Sequence, residues 1–162
     1  LRLKRNGWWG NAACGLSYEG LAWITGAAVM AGGQMPTVQT LILAGLYSVG
    51  AHGIMTLNDF KAVVGDRQMG IRSLPVMLGV DRAAEVAVWV MGIPQLVVVG
   101  LLMHWGHEWH AVAVLALLGA QAVMMTVFAQ SPVKRALWYS GFGVPLFVSG
   151  MMVSAAAIGS AA

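Results

Sequence analysis

Residues 38–57, VQTLILAGLYSVGAHGIMTL, run straight into residues 58–72, NDFKAVVGDRQMGIR. The first stretch has no Asp, Glu, Lys or Arg. It has about the length, roughly 20 residues, that crosses a hydrocarbon core as a helix. The second stretch sets Asp59 and Asp66 among Lys61, Arg67 and Arg72. An apolar run ending abruptly in charge reads as a membrane helix meeting water. That reading decides the fold class, and the rest of the chain agrees with it.

The 162 residues are 59% hydrophobic and only 9% charged, against about 25% charged in a soluble domain. So few charges cannot clothe a water-soluble surface, so most side chains must face lipid or other helices. The 21 glycines lie largely inside apolar runs, where small residues let membrane helices approach closely. A single cysteine, Cys14, excludes an internal disulfide framework. The basic start, Leu-Arg-Leu-Lys-Arg, is followed by Trp8, Trp9 and Asn11 without a small-residue cleavage site, so a signal peptide is not the reading. The expectation is instead a piece of a longer protein.

Five stretches have the length of a span: 12–31, 38–57, 83–103, 111–129 and 138–158. The fold class expected is all-α, a polytopic transmembrane helical bundle. Alternating spans put every Lys and Arg on one side: Arg2, Lys4, Arg5, Lys61, Arg67, Arg72, Arg82, Lys134 and Arg135. Cytoplasmic loops carry that excess, which makes the charged stretch cytoplasmic and puts the C-terminus on the other side.

If the helix continues past Leu57, Asp59 and Asp66 lie two turns apart on one face. Two carboxylates so placed suit Mg²⁺, which takes oxygen ligands, keeps waters and shares carboxylates with substrate phosphates. Lys61, Arg67 and Arg72 would then hold the remaining phosphate charge. Spacing alone equally allows a solvated loop whose charges only set topology. His52, one heptad before Asp59, either contacts a ligand or the metal's surroundings, or is a buried histidine satisfied by a neighbouring helix. Glu19 inside the first span is costly there and marks a candidate functional position, or else reaches the interface. His104, His107 and His110 are spaced three apart, which spreads them over about 240° of a helix. With Trp105 and Trp109 they read as an interfacial belt rather than a metal site.

Residues 57–79, LNDFKAVVGDRQMGIRSLPVMLG, resemble the second aspartate-rich motif of the UbiA-type membrane prenyltransferases, in particular the chlorophyll and bacteriochlorophyll synthase branch. Residues 1–23, LRLKRNGWWGNAACGLSYEGLAW, resemble the loop and helix preceding that motif, and 136–155, ALWYSGFGVPLFVSGMMVSA, the last helix. The resemblance covers nearly the whole chain. It implies residues 1–162 as the C-terminal part of one prenyltransferase domain, helices five to nine of nine around a central cavity open to lipid. The first aspartate-rich motif would lie in the missing half, leaving this piece inactive alone.

Residue by residue, the resemblance makes Asp59 and Asp66 the catalytic, Mg²⁺-binding aspartates. It also gives Lys4, Arg5, Lys61, Arg67 and Arg72 to the diphosphate and makes Glu19 and His52 candidates for the substrate cavity. Ala62 stands where many relatives carry a third acid, and Val64 where the branch often has Glu, so neither is assigned a metal role. The implied reaction esterifies the propionate of bacteriochlorophyllide a with a C20 prenyl diphosphate, geranylgeranyl or phytyl, and releases diphosphate. The implied setting is multi-pass in a bacterial inner or intracytoplasmic photosynthetic membrane, with the active side cytoplasmic. Lipid and the two substrates are the expected partners, association with other pigment-synthesis enzymes is compatible, and no nucleic acid is expected. Two other readings stand beside it: a UbiA-type transferase for a quinone precursor or haem, and a non-catalytic membrane subunit.

Overall fold

The computed structural model describes residues 3–159, the side chain of Lys4 excepted. A 3₁₀ turn, Leu3–Arg5, leads into α1 (Gly7–Gly15), a π-helical stretch (Leu16–Leu21) and α2 (Ala22–Met30). Beyond these lie α3 (Val38–Gln68), the short α4 (Leu74–Leu78), α5 (Val80–His104), α6 (Glu108–Ala129) and α7 (Pro132–Gly159). Among the described residues, an isolated bridge between Asn6 and Arg72 is the departure from an all-helical architecture. Helices are what lipid dictates, because each satisfies its backbone N–H and C=O groups within one segment.

α3 fixes the layout. Thr37 caps its start, the hydroxyl accepting from the Thr40 N–H at 3.3 Å. The helix does not stop where its apolar run stops, since nothing between Leu57 and Gln68 breaks it. It ends at Gly70, whose φ of +65° suits a residue without Cβ. There the Ile71 N–H donates to the Asp66 carbonyl at 2.9 Å and the Gly70 N–H to the Arg67 carbonyl at 3.4 Å. This pair of bonds is a Schellman cap. The polar stretch expected between spans is therefore helical for its first half.

Among the described residues four helices are long and apolar enough to cross a membrane: α3, α5, α6 and α7. The fifth expected span, 12–31, corresponds to α1, the π-helical stretch and α2 in succession, and none of the three is of spanning length by itself. A π turn takes in one extra residue, which rotates α2 by about 100° from the course of an unbroken α-helix.

α3 packs against α1, the π-helical stretch, α4, α5 and α7, while α6 packs against α5 and α7. Towards its charged end the core is built from Leu57, Phe60, Ala87, Met91, Phe128 and Tyr139. Phe60 and Phe128 meet edge to face at 5.5 Å, a favoured aromatic geometry. Towards the other end Leu43, Tyr47, Val98, Leu102, Val114 and Phe147 form a second cluster.

Hydrogen bonds between helices supplement this packing. Gln95 Nε2 donates to Gln121 Oε1 at 2.8 Å, and Gln121 Nε2 donates to the Tyr139 hydroxyl at 3.0 Å. All three side chains are fully buried, so α5, α6 and α7 are tied at one level. Tyr47 and Ser154 share a hydrogen bond of 2.8 Å between α3 and α7. Such bonds contribute about 1 kcal/mol each in a membrane. Gln121→Leu is expected to lower the unfolding midpoint in detergent by an amount matching about 1–2 kcal/mol. Thr126→Val, which removes an exposed hydroxyl bonded within its own helix, should leave the midpoint in place. An unchanged midpoint for Gln121→Leu would show that the network does not hold the helices.

Candidate active site

Seven residues make two turns of α3 with a residual rotation of about 20°, so the continued helix brings Asp59 and Asp66 to one face. Both are half-buried, and both line one cavity of about 760 Å³ at the charged end of the bundle. Asn58 and Ala62 of α3 share that wall; Asn11, Cys14 and Tyr18 form the facing one, with Ser73 between them.

The facing wall is held by the N-terminal segment, which docks on the loop after α3. The Arg72 N–H donates to the Arg5 carbonyl at 3.1 Å, and the Gly7 N–H to the Arg72 carbonyl at 2.8 Å. Only glycine fits at position 7, because a Cβ there would lie 2.6 Å from the Leu74 nitrogen and 2.7 Å from Ser73 Cα. Asn6 then caps α1, its Oδ1 accepting from the Trp8 and Trp9 N–H groups at 3.1 and 3.3 Å. α1 crosses α3 in the opposite sense, with Asn11 at the level of Thr56 and Asp59, and Gly15 against Ser48.

The donor set suits a hard divalent cation. Asp59 and Asp66 repel one another, and cationic charge held in the cavity they share would offset that repulsion. Asn11 Nδ2 holds Asp59 Oδ2 at 2.9 Å, and the Leu74 N–H also approaches that carboxylate. A carboxylate has about four lone-pair positions, so acceptor capacity still faces the cavity. The Ser73 hydroxyl, on a residue 2% exposed, has no hydrogen-bond partner among the described residues. Among the described residues no three His, Cys, Asp or Glu side chains come together. The pair therefore suits Mg²⁺, whose remaining ligands come from water and phosphate oxygens.

The other candidates are more dispersed. Lys61 is exposed and donates at 3.2 Å to Oδ1 of Asn58, a residue of the cavity wall. Arg5, Arg67 and Arg72 are exposed near the cavity in sequence, but among the described residues the lining includes no Lys or Arg. Arg2 and the side chain of Lys4 lie outside the described residues. Glu19, in the π-helical stretch, lines a neighbouring cavity of about 410 Å³ with Trp23, Met151 and Met152. Tyr18 lines both cavities.

His52 is turned elsewhere. Its Nε2 meets the Trp8 carbonyl at 3.1 Å and its ring packs on the Trp8 indole at 4.8 Å. It lines a separate apolar cavity of about 280 Å³ with Leu16 and Ser48, so Asp59 and His52 open into different spaces. Sequence reasoning passed over Asn11 and Ser73. A polar amide at the start of an apolar run was the available signal for Asn11. The burial of Ser73 depends on the docking of Gly7, which no local pattern announces.

A family model described as the UbiA prenyltransferase family matches residues 1–151. The chain belongs to the UbiA prenyltransferase family. With its four long apolar helices it is a multi-pass membrane protein. It is 54% identical to the bacteriochlorophyll synthase 33 kDa chain of Cereibacter sphaeroides over 158 residues, 98% of this chain and 52% of that protein. It is 48% identical to the 34 kDa chain of Chloroflexus aurantiacus over 162 residues, all of this chain and 51% of that one. Identity to the chloroplastic chlorophyll synthase of Oryza sativa is 42% over 158 residues, 97% of this chain and 41% of that protein. The chain thus spans about half the length of the curated bacterial relatives it matches. No solved structure matches. In this UbiA family member the docking at Gly7 frames the facing wall of the cavity. Gly7→Val is expected to raise amide exchange at Gly7 and Arg72 at least about tenfold, the equivalent of about 1.4 kcal/mol, while α5, α6 and α7 stay protected. Unchanged exchange at both amides would show that the segment is held by something else.

Proposed function

We propose that the full-length protein is a bacteriochlorophyll synthase, a Mg²⁺-dependent prenyltransferase that esterifies the propionate of bacteriochlorophyllide a with a C20 prenyl diphosphate. The observation that carries this reading is the opening of Asp59 and Asp66, from one face of α3, into one cavity at the charged end of a membrane bundle. The identity of about half of all positions to bacteriochlorophyll synthase chains supports the choice of acceptor. The chain supplies one aspartate pair; the remainder of the protein would complete the site.

Asp59 and Asp66 would hold Mg²⁺, which when bound supplies compensation for the negative charge developing on diphosphate. Arg5, Lys61, Arg67 and Arg72, with Lys4, stand at the polar end and would add cationic charge for the same group. The allylic carbon–oxygen bond breaks with its electron pair leaving on diphosphate. A propionate oxygen then forms the ester bond to the allylic carbon. The propionate is ionised at neutral pH, so no residue need act as a strong base. Tyr18 and Glu19, continuing along the face that leaves the carboxylates, are the side chains in position for the tetrapyrrole. The active side is cytoplasmic, in a bacterial inner or intracytoplasmic membrane, because the basic residues gather there.

Membranes containing the full-length protein, supplied with Mg²⁺, geranylgeranyl diphosphate and bacteriochlorophyllide a, should form esterified pigment, and EDTA should stop it. Asp59→Asn and Asp66→Asn should each reduce the rate at least about 100-fold, as expected when a metal-held charge is lost. Prenylation of 4-hydroxybenzoate in place of the pigment would keep the reaction type and overturn the acceptor. Topology is tested with Met69→Cys in a Cys14→Ser background, since Met69 is 74% exposed just past α3. Impermeant maleimide should label it from the cytoplasmic side, and labelling from the periplasmic side would reverse the orientation.

A further inference from the structure

Asn11 sits on α1, yet its amide reaches across to α3, where Nδ2 donates to Asp59 Oδ2 at 2.9 Å and to Thr56 Oγ1 at 3.3 Å. Asn11 is only 9% exposed and Thr56 is fully buried. The direction of these bonds is set by the chemistry of the partners. The Thr56 hydroxyl commits its proton to the His52 carbonyl at 2.9 Å, so towards Asn11 it can only accept. The ionised Asp59 carboxylate is an acceptor as well. Both neighbours therefore demand the NH₂ end of the amide, and the reverse orientation would set the Asn11 carbonyl against two acceptors.

A chain of bonds thus runs from the His52 carbonyl through Thr56 and Asn11 to Asp59. It links a buried turn of α3 to the carboxylate through a residue borne by another helix. Its physical effect is to hold the Asp59 carboxylate in one rotamer, with Oδ2 towards α1. The carboxylate's remaining lone pairs are left towards the cavity it shares with Asp66. Groups that hydrogen-bond a metal ligand orient it and tune its affinity for the cation. Without Asn11, the Asp59 carboxylate would lose the bond that fixes Oδ2 towards α1 and would be free to turn in the cavity it shares with Asp66.

We propose that Asn11 is a positioning residue for Asp59, presetting its carboxylate for a divalent cation and the diphosphate it accompanies. This rests on the reading of Asp59 and Asp66 as the cation-holding pair, and it adds that the docking of α1 on α3 sets the affinity of that pair. Asn11 lines the same cavity, and in this role it acts through Asp59 rather than as a ligand of the metal. Its removal acts on cation affinity and on the diphosphate KM that depends on it, and leaves the KM for the pigment acceptor alone.

The test uses purified full-length protein in detergent, with Mn²⁺ as the paramagnetic probe and inorganic diphosphate present, read by electron paramagnetic resonance titration. Wild type should bind Mn²⁺, Asp59→Asn should abolish that binding, and Asn11→Ala should weaken it about tenfold, the lower bound for removing a partner of a metal ligand. In the esterification assay Asn11→Ala should raise the Mg²⁺ half-saturation and the KM for prenyl diphosphate, with the KM for bacteriochlorophyllide unchanged. Thr56→Val, which keeps Asn11 but removes the acceptor that orients it, should weaken Mn²⁺ in the same direction by less. It carries the test if Asn11→Ala does not fold. Binding lost in Asp59→Asn but unchanged in folded Asn11→Ala, or in Thr56→Val where Asn11→Ala is not folded, would overturn the role of Asn11 and leave the aspartate pair standing. Binding unchanged in Asp59→Asn, or absent from wild type, would overturn the cation-holding reading and this inference with it.

Discussion

The polar end of this bundle depends on α3 remaining helical after its apolar run has ended. Within lipid a helix is obligatory, because unpaired backbone groups are too costly there. Beyond Leu57 water removes that compulsion, and the chain is free to unravel. It stays helical because residues 58–68 contain no strong breaker apart from the tolerated Gly65, and because the cap at Gly70 satisfies the last carbonyls. Had the helix frayed at Asn58, Asp59 and Asp66 would share no face.

α1 is the second element of the arrangement, and its docking is almost wholly polar at the end that matters. Two backbone bonds fasten residues 5–7 to Arg72, Asn6 caps the helix, and Asn11 and the Trp8 carbonyl engage α3. These contacts divide the space beside α3. On one side lies the cavity with the two carboxylates, on the other the small apolar one beneath His52. The π-helical turn then redirects the same segment, with Tyr18 lining the carboxylate cavity and Tyr18 and Glu19 the neighbouring one.

Behind α3 the remaining helices act as a rigid backing. Interleaved aromatic rings and the Gln95–Gln121–Tyr139 chain hold α5, α6 and α7 together, and Tyr47 with Ser154 ties α7 to α3. Directional bonds are useful in such a place, since lipid gives apolar helix faces little reason to prefer one partner over another. The Tyr47–Ser154 bond then constrains the rotation of α3 against α7, and with it the face that carries Asp59 and Asp66.

The sequence by itself determined the class of protein, the apolar runs that lie within α3, α5, α6 and α7, and the helical periodicity that can put Asp59 and Asp66 on one face. These are local properties: composition, length of apolar run, and spacing along one helix. It also carried the motif at residues 57–79 by which the family is legible. The helical extension of α3 was open in the sequence, because its decisive cap, Gly70, looks like any loop glycine until its φ is known. Only the tertiary structure decided which side chains share a space. His52 and Asp59 are one heptad apart and read as companions, yet α1 passes between their cavities. Asn11 and Asp59 are 48 residues apart and are joined at 2.9 Å. Lys61 sits two residues from Asp59, yet it bonds Asn58 and is not among the residues lining the cavity. The reason is physical: periodicity fixes direction about one axis, whereas a cavity is made where several axes meet, and their relative rotation is set by packing and hydrogen bonds between residues far apart in the chain.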